Sequence, residues 1–389
     1  MSYSLTEAKN DVCNRAGVTD CGTIIDMNHV LTLTDPVLLT QQLIDIPSES
    51  RSEKSIADAV EAALTGLGLE TVRVSNTVAA RTSRGLGRRV ILAGHLDTVP
   101  AAGNIPSHRD GDIIHGLGSV DMKSGDACFL HVLATLARHE SLNADITAIF
   151  YECEEIAAQF SGLQKFIDAY PEWVRGDFAI LGEPTGGVVE AGCQGTIRMK
   201  LTAHGVRAHS ARAWLGENAL HKLGPILTRI AADEPREVDI DGCTYKEGFN
   251  AVAAEAGVAK NTIPDEAVLY VNFRYAPDRS VEDAKKHMLT VLGGGDPARA
   301  GELVDIDYDD VSPAAAPGLS TPVAADFVAL AGSVRAKYGW TDVARLSALG
   351  IPSVNCGPGD PSLCHKPEEH CPVSQIEEVS ALLTKFLTC

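Results

Sequence analysis

The chain has 389 residues, 45% hydrophobic and 22% charged, an ordinary globular balance in a chain too long for one ordinary core. With 52 acidic against 33 basic residues the formal net charge is -19, which argues against nucleic acid or an anionic membrane surface as the main partner. No apolar run of about 18 residues predicts a transmembrane helix, and the polar residues 1–20 lack the apolar centre of a signal peptide.

Residues 1–34 show no periodicity and read as a loose leader. Asp35-Pro36 reads as an N-cap with a first-turn proline opening a helix over 37–46. A second helix over 52–67 ends at Gly66 and Gly68. Strands follow near 70–74 and 89–93. The second runs into Gly94-His95-Leu96-Asp97-Thr98-Val99-Pro100. Residues two apart on an extended chain share a face, so His95 and Asp97 can point the same way. That suits a metal-bound imidazole steadied by a carboxylate. Read alone, the pair fits a buried histidine beside a turn aspartate better.

The loop region 99–125 is rich in Gly, Asp and His, carries Asp121 within Gly118 to Gly125, and leads into a helix over 126–138. A strand over 145–151 runs straight into Glu152-Cys153-Glu154-Glu155, and one over 178–181 delivers Gly182-Glu183-Pro184-Thr185. Helices alternating with apolar strands predict a mostly parallel α/β sheet.

The pattern changes near Cys193. A strand over 195–203, a helix over 217–232, strands over 250–260 and 267–274, a helix over 281–292 and a strand over 303–307 give the order β-α-β-β-α-β. That is the order of a ferredoxin-like split-βαβ sandwich. After the Pro/Ala-rich stretch 312–318 the α/β pattern resumes and runs to Cys389. The expected division is therefore a leader (1–34), a first catalytic part (35–192), an inserted α+β domain (193–312) and a second catalytic part (313–389). The ten cysteines are scattered, without a Cys-x-x-Cys pair, and suit a reducing cytoplasm better than a disulfide framework. Cys364 and Cys371 flank His365 and His370, but that spacing lacks the paired cysteines of a structural zinc site.

Candidate metal ligands now stand at several strand ends: His95, Asp121, Glu154-Glu155 and Glu183, with His365 beyond the insertion. Each has a plain reading of its own, Asp121 as an N-cap, Glu183 as a turn acid, His365 as a surface residue. Sites in open α/β sheets form beyond the carboxyl ends of strands, where segments distant in sequence converge. The motifs Gly94 to Pro100, Gly118 to Gly125 and Glu154-Glu155, in that order and spacing, resemble those of the M20 family of dinuclear zinc peptidases and deacylases. The resemblance runs from about residue 35 onward and includes the insertion.

The resemblance implies a zinc-peptidase catalytic domain with an inserted dimerisation (lid) domain. It makes His95 and Glu183 ligands of one Zn²⁺ and Glu155 and His365 ligands of a second, with Asp121 bridging and Co²⁺ as a substitute. Asp97 would orient His95, and Glu154 would be the general acid/base. Three protein ligands per ion leave the open positions of a catalytic site. Two such ions lower the pKa of water to about 7, and a free carboxylate beside them must move the proton.

In the family, a histidine at the place of His209 reaches the active site of the other protomer, which implies a homodimer through the inserted domains. The plain reading is a surface histidine in a basic loop. Asn261, Arg274, Thr341 and the stretch Gly357-Pro358-Gly359-Asp360 resemble substrate contacts of the succinyl-diaminopimelate desuccinylase branch in its actinobacterial form. Arg207, Arg212 and Arg274 either grip substrate carboxylates or pair with surface acids. The expected substrate is a small acylated amino acid. The expected reaction is hydrolysis of the amide of N-succinyl-LL-2,6-diaminopimelate, in the cytoplasm, without nucleic acid or membrane. The alternatives are a sibling activity (N-acetylornithine deacetylase, aminoacylase or dipeptidase) and a non-catalytic binding protein. The presence of Glu154 argues against the last, because a binder has no use for a base.

Overall fold

The computed structural model describes residues 30–388, preceded by the backbone of two short paired strands, Gly17–Val18 and Ile24–Ile25. Most of the leader expected over residues 1–34 lies outside the described residues. The fold is mixed α/β with a mostly parallel main sheet and a separate four-stranded sheet. The chain forms two compact units, one of residues 1–175, 182–187 and 357–389, the other of residues 176–181 and 188–356.

In the first unit the strand Arg89–His95 is buried from Val90 onward and pairs in parallel with Asp145–Tyr151, Arg89 opposite Asp145 and His95 opposite Tyr151. Its continuous apolar run suits a position covered on both faces. Parallel strands in this register finish together, so the segments that leave them, 96–98 and 152–155, start side by side. Thr77–Arg81 and Glu70–Val74 extend one flank antiparallel. On the other flank the end of Phe178–Pro184 brings in Glu183.

Helix Lys123–Leu136 follows Asp121 and starts three residues earlier than the sequence suggests. The pair Ser124-Gly125 reads as loop, yet a side chain on Gly125 would collide with the Gly182 carbonyl. The glycine therefore serves close packing against the strand carrying Glu183, not a turn. Helix Pro36–Ile44 is capped as expected by Asp35, which accepts from the N–H groups of Val37 and Leu38 at 2.9 and 3.1 Å.

In the second unit the four-stranded antiparallel sheet runs Gly248–Ala256, Glu266–Tyr275, Gly195–His204, Asp305–Ser312. With helices Ala219–Ala231 and Val281–Leu292 it forms the β-α-β-β-α-β sandwich. Alternate residues Ile197, Met199, Leu201, Leu269, Val271 and Phe273 bury against Leu223, Ile226, Met288 and Leu292. Each such side chain contributes about 1.5–3 kcal/mol. Gly248–Ala256 stops before the expected residue 260, because Gly257 at φ 84° turns the chain. Asp305–Ser312 runs further than expected. It is an exposed edge strand, so its acidic residues do not spell an apolar run. Elsewhere in this unit Val189–Ala191 pairs with Val334–Ala336 in parallel and with Ser353–Gly357 antiparallel.

Candidate metal centre

His95, Asp97, Asp121, Glu154, Glu155, Glu183 and His365 all belong to the first unit. His95 ends its strand with the ring 1% exposed. Its Nδ1 lies 3.0 Å from the Asp97 carbonyl oxygen and 3.5 Å from Asp97 Oδ1. An Nδ1–H donating there leaves Nε2 facing Asp121, whose Oδ1 is 3.2 Å away. The other Asp121 oxygen, Oδ2, is 3.5 Å from His365 Nε2, and that nitrogen is 3.0 Å from Glu155 Oε1. Asp121 thus stands between two imidazoles and offers one oxygen to each. Donor atoms of His95, Asp121 and Glu155 lie within 4.8 Å of one another. Glu183 is buried on the neighbouring strand. Exposure rises from His95 to His365, whose side chain is 51% exposed, so the cluster opens to solvent on the His365 side.

Asp97 does more than the sequence suggests. Besides steadying His95, its fully buried carboxylate accepts the Glu154 N–H at 2.9 Å, the Glu155 N–H at 3.1 Å and the Ser50 hydroxyl at 2.7 Å. One carboxylate therefore fixes the histidine and the start of the Glu154-Glu155 turn together. Ser50 and Glu53 lie in a segment outside the motifs singled out in the sequence; Glu53 Oε1 accepts the Cys153 N–H at 3.1 Å. Glu369 is a third missed residue: its Oε1 accepts the N–H groups of Val120 and Asp121 at 2.7 and 3.1 Å. No periodicity marks these groups, since donating a hydroxyl to a carboxylate or accepting a backbone N–H needs only an oxygen in the right place. Glu152, the third acid of its run, is buried and salt-bridged to Lys165 at 3.1 Å. Cys153 and His365 hold φ values of 58° and 64°, a region sparsely used by residues with side chains and recurrent at functional sites.

The electrostatics fit cations. Burial works against a proton on His95, yet Asp121 and Asp97 hold that proton well above the usual imidazole range. Hydrogen bonds to Asp121 and Glu155 push His365 up to about 10. Burial would raise Asp121, but His365 and His95 keep its carboxyl far below the usual range. The carboxylates that raise the two rings present the same negative charge to a cation. Imidazole and carboxylate donors on an open-sided cluster suit a pair of zinc-like ions.

The remaining candidates are placed as follows. His209 is exposed, and its Nδ1 accepts the Ala211 N–H at 3.0 Å, which leaves Nε2 as the ring's donor. Arg207 is paired with Asp265 through Nε at 2.9 Å and Nη2 at 2.8 Å. Asn261 is exposed beside His209, its carbonyl accepting the Ser210 N–H. Arg274 lies half-buried in the sandwich sheet opposite Thr196 and Gly248. Thr341 is buried and donates its hydroxyl to Asn355 at 2.9 Å. Gly357 exchanges hydrogen bonds with Thr185 at a crossing too close for a side chain. Among the described residues Cys128, Cys153, Cys193, Cys243, Cys356, Cys364 and Cys371 are free thiols.

Residues 91–388 match peptidase family M20/M25/M40. The chain is 52% identical over 361 residues to the succinyl-diaminopimelate desuccinylase of Corynebacterium glutamicum, covering 92% of this chain and 97% of that one. It is 54% identical over 356 residues to a putative succinyl-diaminopimelate desuccinylase of Mycobacterium tuberculosis, covering 91% and 98%. Among solved structures, a Staphylococcus aureus tripeptidase superposes with a TM-score of 0.73 at 19% identity, over 92% of this chain and 98% of that one. A dinuclear metal-binding M20 peptidase of Bacillus subtilis gives 0.67 at 17% identity, over 91% and 96%. At such identities these two show a shared fold.

Proposed function

Because the chain belongs to peptidase family M20/M25/M40, we propose that it hydrolyses the amide of N-succinyl-LL-2,6-diaminopimelate to succinate and LL-2,6-diaminopimelate. The observation that carries this reading is identity of 52–54% across nearly the whole chain to relatives named for that reaction. His95, Glu183, Glu155, His365 and Asp121 are the residues that would hold two Zn²⁺ ions. Bound there, the ions supply Lewis-acid polarisation of the amide and an acidified water.

The rest is work for the chain's own groups. Asp97 keeps His95 in the tautomer whose Nε2 lone pair faces the cluster, and holds the Glu154 and Glu155 N–H groups so that the two side chains diverge in role. Glu154, half-buried beside the cluster, takes a proton from the attacking water and delivers it to the leaving amine. The amine then leaves as the neutral or protonated amino acid, and the acyl group leaves as succinate.

The sandwich over 193–312, inserted between catalytic parts 35–192 and 313–389, makes a homodimer. Its edge strand Gly248–Ala256 supports this: the strand is exposed beyond Phe249, has no neighbour on one side among the described residues, and holds Val252 outward at a bulge, 61% exposed. Unpaired edges of this kind recruit a further strand. His209, with Nε2–H as donor, serves the oxyanion across that dimer. Arg207, Asn261, Arg274, Thr341 and Gly357 belong to the substrate region or support it. Free thiols agree with a cytoplasmic location.

Subunit exchange tests this mechanism. Glu154→Gln and His209→Ala chains should each be nearly inactive on N-succinyl-LL-2,6-diaminopimelate, with Glu154→Gln still binding two ions. Mixed, they should recover about a quarter of wild-type turnover if the chains pair at random in a symmetric dimer. An active Glu154→Gln chain removes the assigned base, and no recovery on mixing removes the shared site.

A further inference from the structure

Two segments of the first unit that are remote in sequence meet at one buried carboxylate. Glu369 lies four residues after His365 and is 1% exposed. Its Oε1 accepts both the Val120 N–H at 2.7 Å and the Asp121 N–H at 3.1 Å. Its own backbone is tied on both sides, the N–H donating to the Lys366 carbonyl at 3.1 Å and the carbonyl accepting the Gly116 N–H at 3.1 Å. The turn that carries His365 and the loop that carries Asp121 are therefore clamped to one residue. The contact this clamp would govern is the one between His365 Nε2 and Asp121 Oδ2, at 3.5 Å.

We propose that Glu369 is a positioning residue that sets the spacing of Asp121 and His365 and so tunes how tightly the pair of metal ions is held. The physical ground is geometric: two backbone N–H groups donating to one oxygen fix both the position and the direction of the segment that carries Asp121. Asp121 has to face His95 with one oxygen and His365 with the other, so a small rotation of its backbone loses one of the two. His365 is half-exposed and at positive φ, and its ring is otherwise held by Glu155 Oε1 at 3.0 Å. Groups that orient metal ligands from behind typically change metal affinity by roughly 10–100-fold when removed. The alternative is a carboxylate that stabilises the fold without bearing on the ions.

Asp145 provides the control. It too is a buried carboxylate that accepts backbone N–H groups, those of Arg84, Gly85 and Leu86 at 2.8, 3.0 and 3.0 Å, together with the Thr82 hydroxyl. It stands at the opposite end of its strand from the Glu154-Glu155 turn. Zinc dissociation constants measured by chelator competition, alongside thermal unfolding of the metal-free chains, separate the two roles. Glu369→Ala should bind zinc roughly 10–100-fold more weakly than wild type, whereas Asp145→Ala should lose stability and keep its zinc affinity. Glu369→Gln, which keeps an accepting oxygen, should recover part of the loss, and it supplies the comparison if Glu369→Ala does not fold. Wild-type affinity in the Glu369 variants, or an equal loss in Asp145→Ala, would overturn the proposal. The proposal rests on the two-ion reading: a wild-type chain that takes up fewer than two ions fails that reading first, while a two-ion wild type with unaffected Glu369 variants fails this proposal alone.

Discussion

Asp97 concentrates more of the site's geometry than any other side chain. It accepts from the Ser50 hydroxyl and from two successive backbone N–H groups, and it faces His95 Nδ1 as well. Replacing it by asparagine keeps the volume but turns one accepting oxygen into a donor facing other donors, so the turn and the ring cannot both be satisfied. Asp97→Asn should lower zinc affinity and turnover by roughly 10–100-fold, and Ser50→Ala should have a smaller effect of the same kind. Zinc titration of the two variants against wild type checks this, and wild-type affinity in Asp97→Asn would contradict it. At this scale the sequence is half legible. The candidate set His95, Asp97, Asp121, Glu154, Glu155, Glu183 and His365 is readable through the family resemblance of the motifs, and the structure gathers His95, Asp97, Asp121, Glu155 and His365 within contact of one another. Ser50, Glu53 and Glu369 are not readable, because Ser50 acts by donating its hydroxyl to Asp97 and the two glutamates by accepting backbone N–H groups, and their partners are only brought near by folding.

At the scale of elements, the apolar strands and the β-α-β-β-α-β order are legible, because buried strands spell continuous or alternating apolar runs. The misses have physical causes: Gly125 reads as a breaker but packs a helix on Gly182, and Asp305–Ser312 is too exposed to carry an apolar signal. The sandwich also holds an ionic joint that periodicity cannot show. Glu247, buried at the head of the edge strand, accepts from Arg236 Nη2 at 2.9 Å, Arg279 Nε at 2.8 Å and the Ala276 N–H at 3.0 Å. Burial would raise its carboxyl, but Arg236, Arg279 and that N–H hold it below the usual range. A carboxyl with a lowered pKa in the fold stabilises it above the unfolded value, and that contribution fades as pH falls through the folded one. Glu247→Gln should therefore cost about 1–3 kcal/mol at neutral pH and progressively less on acidification below about pH 4.5. Urea unfolding of both chains from pH 7 to pH 4 measures the gap. A gap that stays constant with pH would show that the carboxylate's charge is not what matters.

For the whole molecule, the parallel register of Arg89–His95 with Asp145–Tyr151 explains how His95 and the Glu154-Glu155 turn, far apart in sequence, come to one place. The strands end together, their trailing segments start together, and Glu183 arrives on the next strand over. The net charge of -19 does not by itself set the field at a site, because exposed charges are screened over about 8 Å at physiological salt. The most direct measurement is succinate release from N-succinyl-LL-2,6-diaminopimelate by the metal-stripped chain as Zn²⁺ is added back, run beside N-acetylornithine, N-acyl amino acids and dipeptides. Activity should be absent without metal, rise to a plateau at two ions per chain, and favour the succinylated diaminopimelate over every other substrate. Full turnover in the stripped chain, or a clear preference for another member of the panel, would contradict the account.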